Sequence, residues 1–256
     1  MNRVAAGVYS RCYTFVFWMP EIVEIATPKA LTLAEKQRAG VLRVNEIFYS
    51  IQGEGSRAGE PCVFVRMTGC GLRCTYCDTE YAFYEGKDKS IDEVLREVEG
   101  YHCKLIELTG GEPLEQEGVY ALMDELLERG YEVMVETGGH VDISSVDPRV
   151  KRIVDLKTPS SGMLKRNRFE NIEQLTQHDE VKFVIGSRED YEWSRAQLWK
   201  YALDKRVGTV LFSPVIGKKG GLELSEVAAW ILEDHLPVRL QTQLHKLIWP
   251  GIQRGV

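Results

Sequence analysis

The sequence predicts an α/β protein, a partial (β/α) barrel with a mostly parallel curved sheet. Three observations carry that prediction. Short apolar runs alternate with helical patterns over most of the chain. The motifs rich in Gly, Thr and Pro follow the apolar runs, as they do at the carboxyl ends of barrel strands. About six or seven strand–helix units fit after residue 60, too few for a closed eight-fold barrel.

The elements follow in order. Residues 1–40 lack periodicity and end in the charged stretch Ala34 to Gly40, so they read as an N-terminal extension or an upstream start assignment. The domain proper is placed at 41–256. Val41 to Tyr49 and Cys62 to Met67 are strand-like. Ser90-Ile-Asp-Glu93 is a capping box, and Ile91, Val94, Leu95 and Val98 follow at helical spacing. Lys104 to Leu108 reads as a buried strand. Val119, Leu122, Met123, Leu126 and Leu127 mark one helix face, stopped by Gly130. Tyr131 to Glu136, Arg152 to Leu156 and Glu180 to Ile185 are strands. A helix from about Glu189 to Leu203 is expected to bury Tyr191, the stem of Arg195, Leu198, Trp199 and Ala202. Strand Thr209 to Phe212, helix Ser225 to Glu233 and a strand around Val238 to Leu240 complete the series. Strands alternating with helices imply right-handed crossovers.

Composition narrows the function classes. At 44% hydrophobic the chain can bury a full core, and at 27% charged nothing in the bulk reads as disordered. A net charge of -6 argues against a general nucleic-acid surface, which wants a basic stripe. Tyr13 to Met19 is far shorter than the roughly 20 residues of a membrane span. Arg3 and Arg11 precede that run, as in a signal peptide, but no small-residue cleavage pattern follows Met19-Pro20. A cytoplasmic location is expected.

The six cysteines are Cys12, Cys62, Cys70, Cys74, Cys77 and Cys103. Three of them crowd into Cys70-Gly-Leu-Arg-Cys74-Thr-Tyr-Cys77, which favours metal binding over cross-linking. Three thiolates can hold a 4Fe–4S cube and leave one iron without a protein ligand. That iron accepts the amino and carboxylate groups of S-adenosylmethionine, whose one-electron cleavage yields a 5′-deoxyadenosyl radical. A structural zinc site needs a fourth ligand, from Cys62, Cys103 or a histidine. A ferredoxin run would carry a fourth cysteine and a proline nearby, and none follows Cys77. Spacing alone leaves the radical centre, zinc and three unrelated thiols all open.

Cys70 to Cys77 resembles the signature of the radical S-adenosylmethionine superfamily. Leu108-Thr-Gly-Gly-Glu-Pro113, about thirty residues later, agrees with it. In that superfamily the Gly-Gly-Glu-Pro segment contacts the methionine amino group. Ser50-Ile-Gln-Gly-Glu-Gly55, Arg66 and Cys77-Asp-Thr79 together resemble the 7-carboxy-7-deazaguanine synthase family. So do Val135-Glu-Thr-Gly-Gly139, Asp155-Leu-Lys-Thr-Pro-Ser-Ser-Gly162 and Gln243-Leu-His-Lys-Leu-Ile-Trp249. The resemblance runs from about residue 44 to the C-terminus.

The resemblance implies a lyase that converts 6-carboxy-5,6,7,8-tetrahydropterin to 7-carboxy-7-deazaguanine, contracting the ring and releasing ammonia. The step feeds deazapurine synthesis, including queuosine in transfer RNA. It also implies a 4Fe–4S cluster, S-adenosylmethionine and Mg2+, a flavodoxin- or ferredoxin-type reductant, a homodimer, and no nucleic-acid or membrane partner. Cys70, Cys74 and Cys77 would hold the cluster. Thr79 would offer its hydroxyl to magnesium, a hard ion that prefers oxygen. Arg66 would grip the substrate carboxylate in a bidentate pair, so Arg66 and Thr79 are the expected catalytic residues. Ile51, Gln52, Gly53, Thr109 and Pro250 would meet the substrate. Gly111, Glu112, Asp155, Leu156, Lys157, Ser213, Pro214, Val215 and Ile216 would bind S-adenosylmethionine. Ser213-Pro-Val-Ile216 departs from the more common Gln-Pro-Ile segment. The tail Pro250 to Val256 is expected over the pterin, and the isolated His245 reads as structural. Two alternatives stand beside this reading: a radical activase acting on a protein glycine, and a zinc-stabilised binding module.

Overall fold

The computed structural model describes residues 40–215 and 222–256. The extension expected over residues 1–40 lies outside the described residues, Gly40 excepted, as do Cys12 and Ile216. The described chain forms a nine-stranded sheet: β1 (Val41–Ile51), β2 (Pro61–Met67), β3 (Lys87–Ser90), β4 (Leu105–Gly110), β5 (Glu132–Thr137), β6 (Lys151–Leu156), β7 (Glu180–Ile185), β8 (Thr209–Pro214) and β9 (Arg239–Leu240). The order is β3-β1-β2-β4-β5-β6-β7-β8-β9. From β2 to β9 every pairing is parallel, and β1 runs antiparallel to both β2 and β3. The α/β class and the mostly parallel sheet are as expected from the sequence.

Among the described residues six α-helices accompany the sheet: α1 (Ile91–Glu99), α2 (Gly118–Glu128), α3 (Arg188–Lys200), α4 (Leu203–Arg206), α5 (Leu224–Glu233) and α6 (Leu244–Ile248). The capping box of α1 is present: the Ser90 side chain accepts from Glu93 N, and the Glu93 side chain accepts from Ser90 N. Helix faces and the outer face of the sheet share the main core, which includes Val65, Val94, Val98, Leu108, Leu122, Leu126, Val154 and Phe183.

Three differences from the sequence reading have physical causes. Strand β3 is Lys-Asp-Lys-Ser, half exposed, and is held at the sheet edge by backbone pairing to β1, so it has no apolar alternation to read. Helix α3 buries Asp190, Tyr191, Ser194, Gln197 and Leu198, while Trp199 and Ala202 are exposed. The buried stripe includes polar groups that apolar periodicity does not score. The helix also ends early, because Ala202 takes a left-handed φ of 48° before α4 begins.

Candidate active site

The carboxyl ends of the parallel strands open into one cavity of about 650 Å³. Strand alternation builds its interior in layers. Leu105, Met134 and Ile153, with Phe48, Cys62 and Phe64, make an apolar floor. Two residues further along their strands, Glu107, Glu136 and Asp155 make a charged layer with Lys182. Thr109, Gly138 and Lys157 follow at the rim.

The cysteine loop lies on that rim. Cys70, Cys74 and Cys77 are half-buried, line the cavity and form no disulfide. Burial pushes the Cys70 thiol up to about 11 and raises Cys74 and Cys77 as well, so metal loading releases protons. The loop is held from the segment that follows β6. Thr75 donates through N to Ser161 O at 3.1 Å and through Oγ1 to Ser160 O at 2.6 Å. The Tyr76 hydroxyl meets Thr158 Oγ1 at 3.1 Å. Ser160 N in turn donates to Asp190 Oδ1 at 2.7 Å, which ties the segment to the start of α3.

On the other side the loop rests on Gly110-Gly111. Gly111 N donates to Met67 O at 3.0 Å, and Glu112 N donates to Gly69 O at 2.7 Å. A Cβ on Gly111 would overlap the carbonyl of Gly69, so glycine is required there by the close approach of two backbones. Gly111→Ala is therefore expected to push the cysteine loop off its seat. After anaerobic reconstitution the variant should hold less than about half the iron of the unmodified protein, and an unchanged iron content would refute this.

Two carboxylates and a histidine brace the same loop. Glu115 Oε1 accepts from Gly71 N at 2.9 Å and pairs with His140 Nε2 at 2.8 Å. Glu112 is fully buried and accepts from Leu114 N at 3.1 Å and Gly138 N at 2.8 Å. Burial raises the pKa of Glu112.

The charged layer is centred on Lys182. Its Nζ bonds Glu136 and lies 3.0 Å from Glu54 Oε2 and 3.8 Å from Asp155 Oδ2. Burial opposes its charge, but Glu136, Glu54 and Asp155 outweigh that and hold it well above the usual lysine range. Burial would also raise Glu54, yet Lys182 and Gln243 bring it below its ordinary value. Glu107 lies further from the ammonium and bonds Gln52; burial and then the charges of Glu136 and Glu54 raise it well above the carboxylate range.

At the substrate end, Ile51, Gln52, Gly53, Arg66, Thr79 and Thr109 line the cavity, and the β2–β4 register sets Arg66 beside Thr109. Thr79 Oγ1 donates to Asp78 Oδ1 at 2.9 Å. Asp78 Oδ2 accepts from Lys246 Nζ at 2.8 Å and Gln243 Nε2 at 3.0 Å, linking the cysteine loop to α6. Gly111, Glu112, Asp155, Lys157, Ser213, Pro214 and Val215 line the cavity too. Leu156 is fully buried in the main core and faces away from the cavity. Pro250 is exposed and does not line it, whereas Ile252, Gln253 and Val256 do. His245 lines the cavity and packs against Gly53, where any Cβ would strike its ring.

Residues 64–161 match the model of the radical SAM superfamily. The chain is 43% identical over 226 residues to the 7-carboxy-7-deazaguanine synthase of Koribacter versatilis, covering 84% of this chain and 100% of that one. It is 44% identical over 218 residues to the enzyme of the same name from Chlorobaculum tepidum, covering 84% and 97%. The chain belongs to the 7-carboxy-7-deazaguanine synthase family.

The crystal structure of QueE from Escherichia coli shares the fold of this 7-carboxy-7-deazaguanine synthase family member, with a TM-score of 0.64 at 22% identity over 85% of this chain and all of that one. Membership assigns a 4Fe–4S cluster, S-adenosylmethionine and Mg2+ to the chain and sets aside the activase and zinc-module alternatives. The residues fit those groups. Cys62 sits in the apolar floor with Cys103 packed beside it, so neither adds a fourth thiol to the three on the rim. Among the described residues no three His, Cys, Asp or Glu side chains converge on a single-ion site. Asp155 Oδ1 is a buried acceptor without a hydrogen-bond partner on the cavity wall, as an incoming donor group requires. Thr79 and Asp78 offer oxygen, the donor that Mg2+ prefers.

The sequence reading missed Glu54, Asp78, Glu107, Glu136, Lys182, Gln243 and Lys246 as lining residues. A signal was present for three of them. Leu-Ile-Glu107-Leu-Thr, Val-Met-Val-Glu136-Thr and Val-Lys182-Phe-Val-Ile each carry one charge inside an apolar run. A lone buried charge in such a run marks the wall of a polar cavity.

Proposed function

We infer that this chain converts 6-carboxy-5,6,7,8-tetrahydropterin to 7-carboxy-7-deazaguanine and ammonia, a ring contraction without net oxidation. The single observation that supports this most is one cavity lined by the three cysteines, the Gly-Gly-Glu segment, Gln52, Arg66 and Thr79. When bound, the cluster and S-adenosylmethionine supply the adenosyl radical that takes a substrate hydrogen. The chain's own residues orient the substrate and exclude water. Arg66 pairs with the substrate carboxylate through its guanidinium fork. Thr79 would supply a hydroxyl to Mg2+, which would offset negative charge on the substrate. Gln52, Gly53 and Thr109 meet the pterin edge. Asp155 and Lys157, 3.0 Å apart, would hold S-adenosylmethionine together with Gly111 and Ser213 to Val215. Residues 41–256 form the catalytic domain behind an extension over 1–40. The enzyme works in the cytoplasm as a homodimer and takes its electron from a flavodoxin- or ferredoxin-type donor. Among the described residues no helix is long and apolar enough to cross a membrane.

The test is an anaerobic assay of the reconstituted protein with the carboxytetrahydropterin, with and without Mg2+. Product with stoichiometric ammonia, stimulated by Mg2+, is expected. S-adenosylmethionine cleavage without pterin turnover would overturn the substrate assignment. Thr79→Val keeps the side-chain shape and removes the oxygen. It should slow turnover by about tenfold or more and abolish the Mg2+ stimulation, and a variant that kept the stimulation would take Thr79 out of the metal site.

A further inference from the structure

We propose that Glu46 is a positioning residue that aims Arg66 at the substrate and fastens the C-terminal tail beside it. The proposal rests on the reading of Arg66 as the carboxylate grip. Glu46 and Arg66 face each other across the antiparallel β1–β2 pair, just past a bulge between Val44 and Glu46. Arg66 Nε donates to Glu46 Oε1 at 2.8 Å, with both side chains largely buried. That bond occupies the inner edge of the guanidinium and fixes its plane, leaving the outer fork for a bidentate partner. Phe48 and Tyr81 flank the same group, with its central carbon 5.6 Å and 5.9 Å from their ring centroids.

Glu46 has further partners. The Tyr81 hydroxyl donates to its Oε1 at 2.9 Å, and Gly255 N donates to its Oε2 at 3.2 Å. The Tyr81 hydroxyl also reaches Gln253 O at 3.3 Å, and Arg254 lies over the Tyr81 ring while pairing with Glu85 at 2.8 Å. One carboxylate thus joins the arginine to a tail whose residues Ile252, Gln253 and Val256 line the cavity. Glu46 itself does not line the cavity, so it acts through Arg66 and the tail.

The experiment compares E46A, E46Q, R66A and E46A/R66A as reconstituted enzymes with saturating S-adenosylmethionine and Mg2+. E46A should raise KM for the carboxytetrahydropterin by about tenfold or more and leave kcat within about threefold. E46Q keeps an oxygen for Arg66 Nε and should stay within about threefold of the unmodified KM. In the R66A background, E46A should raise KM by clearly less than it does alone, the remainder being the share carried by the tail. A lower kcat at unchanged KM in E46A, or an equal rise in KM with and without Arg66, would overturn the proposal. An unchanged KM in R66A would instead overturn the carboxylate-grip reading. Matching iron content across the four proteins keeps either result from being a folding or cluster defect.

Discussion

Replacing Cys74 by Ala abolishes product formation and strips the protein of its cluster, while the fold persists. Cys74 is half-buried at the cavity rim, and Ala in its place removes one sulfur and adds no bulk. The loop around it is held by backbone bonds from Thr75 and Glu112, which the substitution leaves intact. Only the ligand set changes. With two thiols left on the loop, a second iron of the cube would lack a protein ligand, and no other cysteine in the described residues lines the cavity. Reconstituted iron should fall from about four per chain to below about one. Thermal unfolding of the metal-free proteins should differ by less than about 4 °C. Iron analysis, the visible cluster absorbance and product assay read the three quantities. A Cys74→Ala protein that lost its cluster and still made product would refute radical catalysis here.

Replacing Lys182 by Met gives the second large effect, on stability. Lys182 is the buried cation among Glu54, Glu136 and Asp155 in the charged layer that lines the cavity. Met fills a similar volume but leaves those carboxylates without their shared counter-charge. Removing one partner of a buried ionic group costs about 3–5 kcal/mol, a large fraction of a domain's total stability. The loss is read by denaturant unfolding at neutral pH. The sign of its pH dependence is also defined. Burial already raises Glu136 above its ordinary value, and loss of Lys182 raises it further. An acid whose folded pKa exceeds its unfolded pKa binds more protons in the native state, so acidification favours the fold. The deficit of Lys182→Met should shrink as pH falls from about 7 to about 5. Adding Glu136→Gln should restore part of it at neutral pH. A Lys182→Met protein of unchanged stability would show that the layer holds itself together without its cation.

The sequence disclosed those parts of the fold that obey a period and those parts of the site that stand close together in the chain. Strand β7 was legible from Glu180 to Ile185 because Val181, Phe183, Val184 and Ile185 make a short apolar run that the single Lys182 does not break. Helix α1 was legible because a capping box precedes a clean apolar stripe. The cysteine loop and the Gly-Gly-Glu segment were legible because each is local. The charged layer was not, because Glu54, Glu107, Glu136, Asp155 and Lys182 come from different elements and meet only when the parallel register is set. The Glu46–Arg66 pair was hidden for the same reason, and Glu46 reads in isolation as an ordinary solvated residue. Trp199 was misplaced because the buried face of α3 includes Asp190, Ser194 and Gln197, polar residues whose burial carries no hydropathy signal.

The anchorage of Thr75 on Ser160 and Ser161 bears on the order of maturation. A ligand loop that takes its shape from a segment 85 residues further along cannot be shaped while that segment is still being synthesised. Nascent chains ending before Ser161 would therefore present thiols without a seat, and iron loading must wait until the segment after β6 has been made and has docked. The finished apoprotein would then be the substrate of the cell's cluster-insertion machinery, unlike a zinc finger, which folds only around its ion.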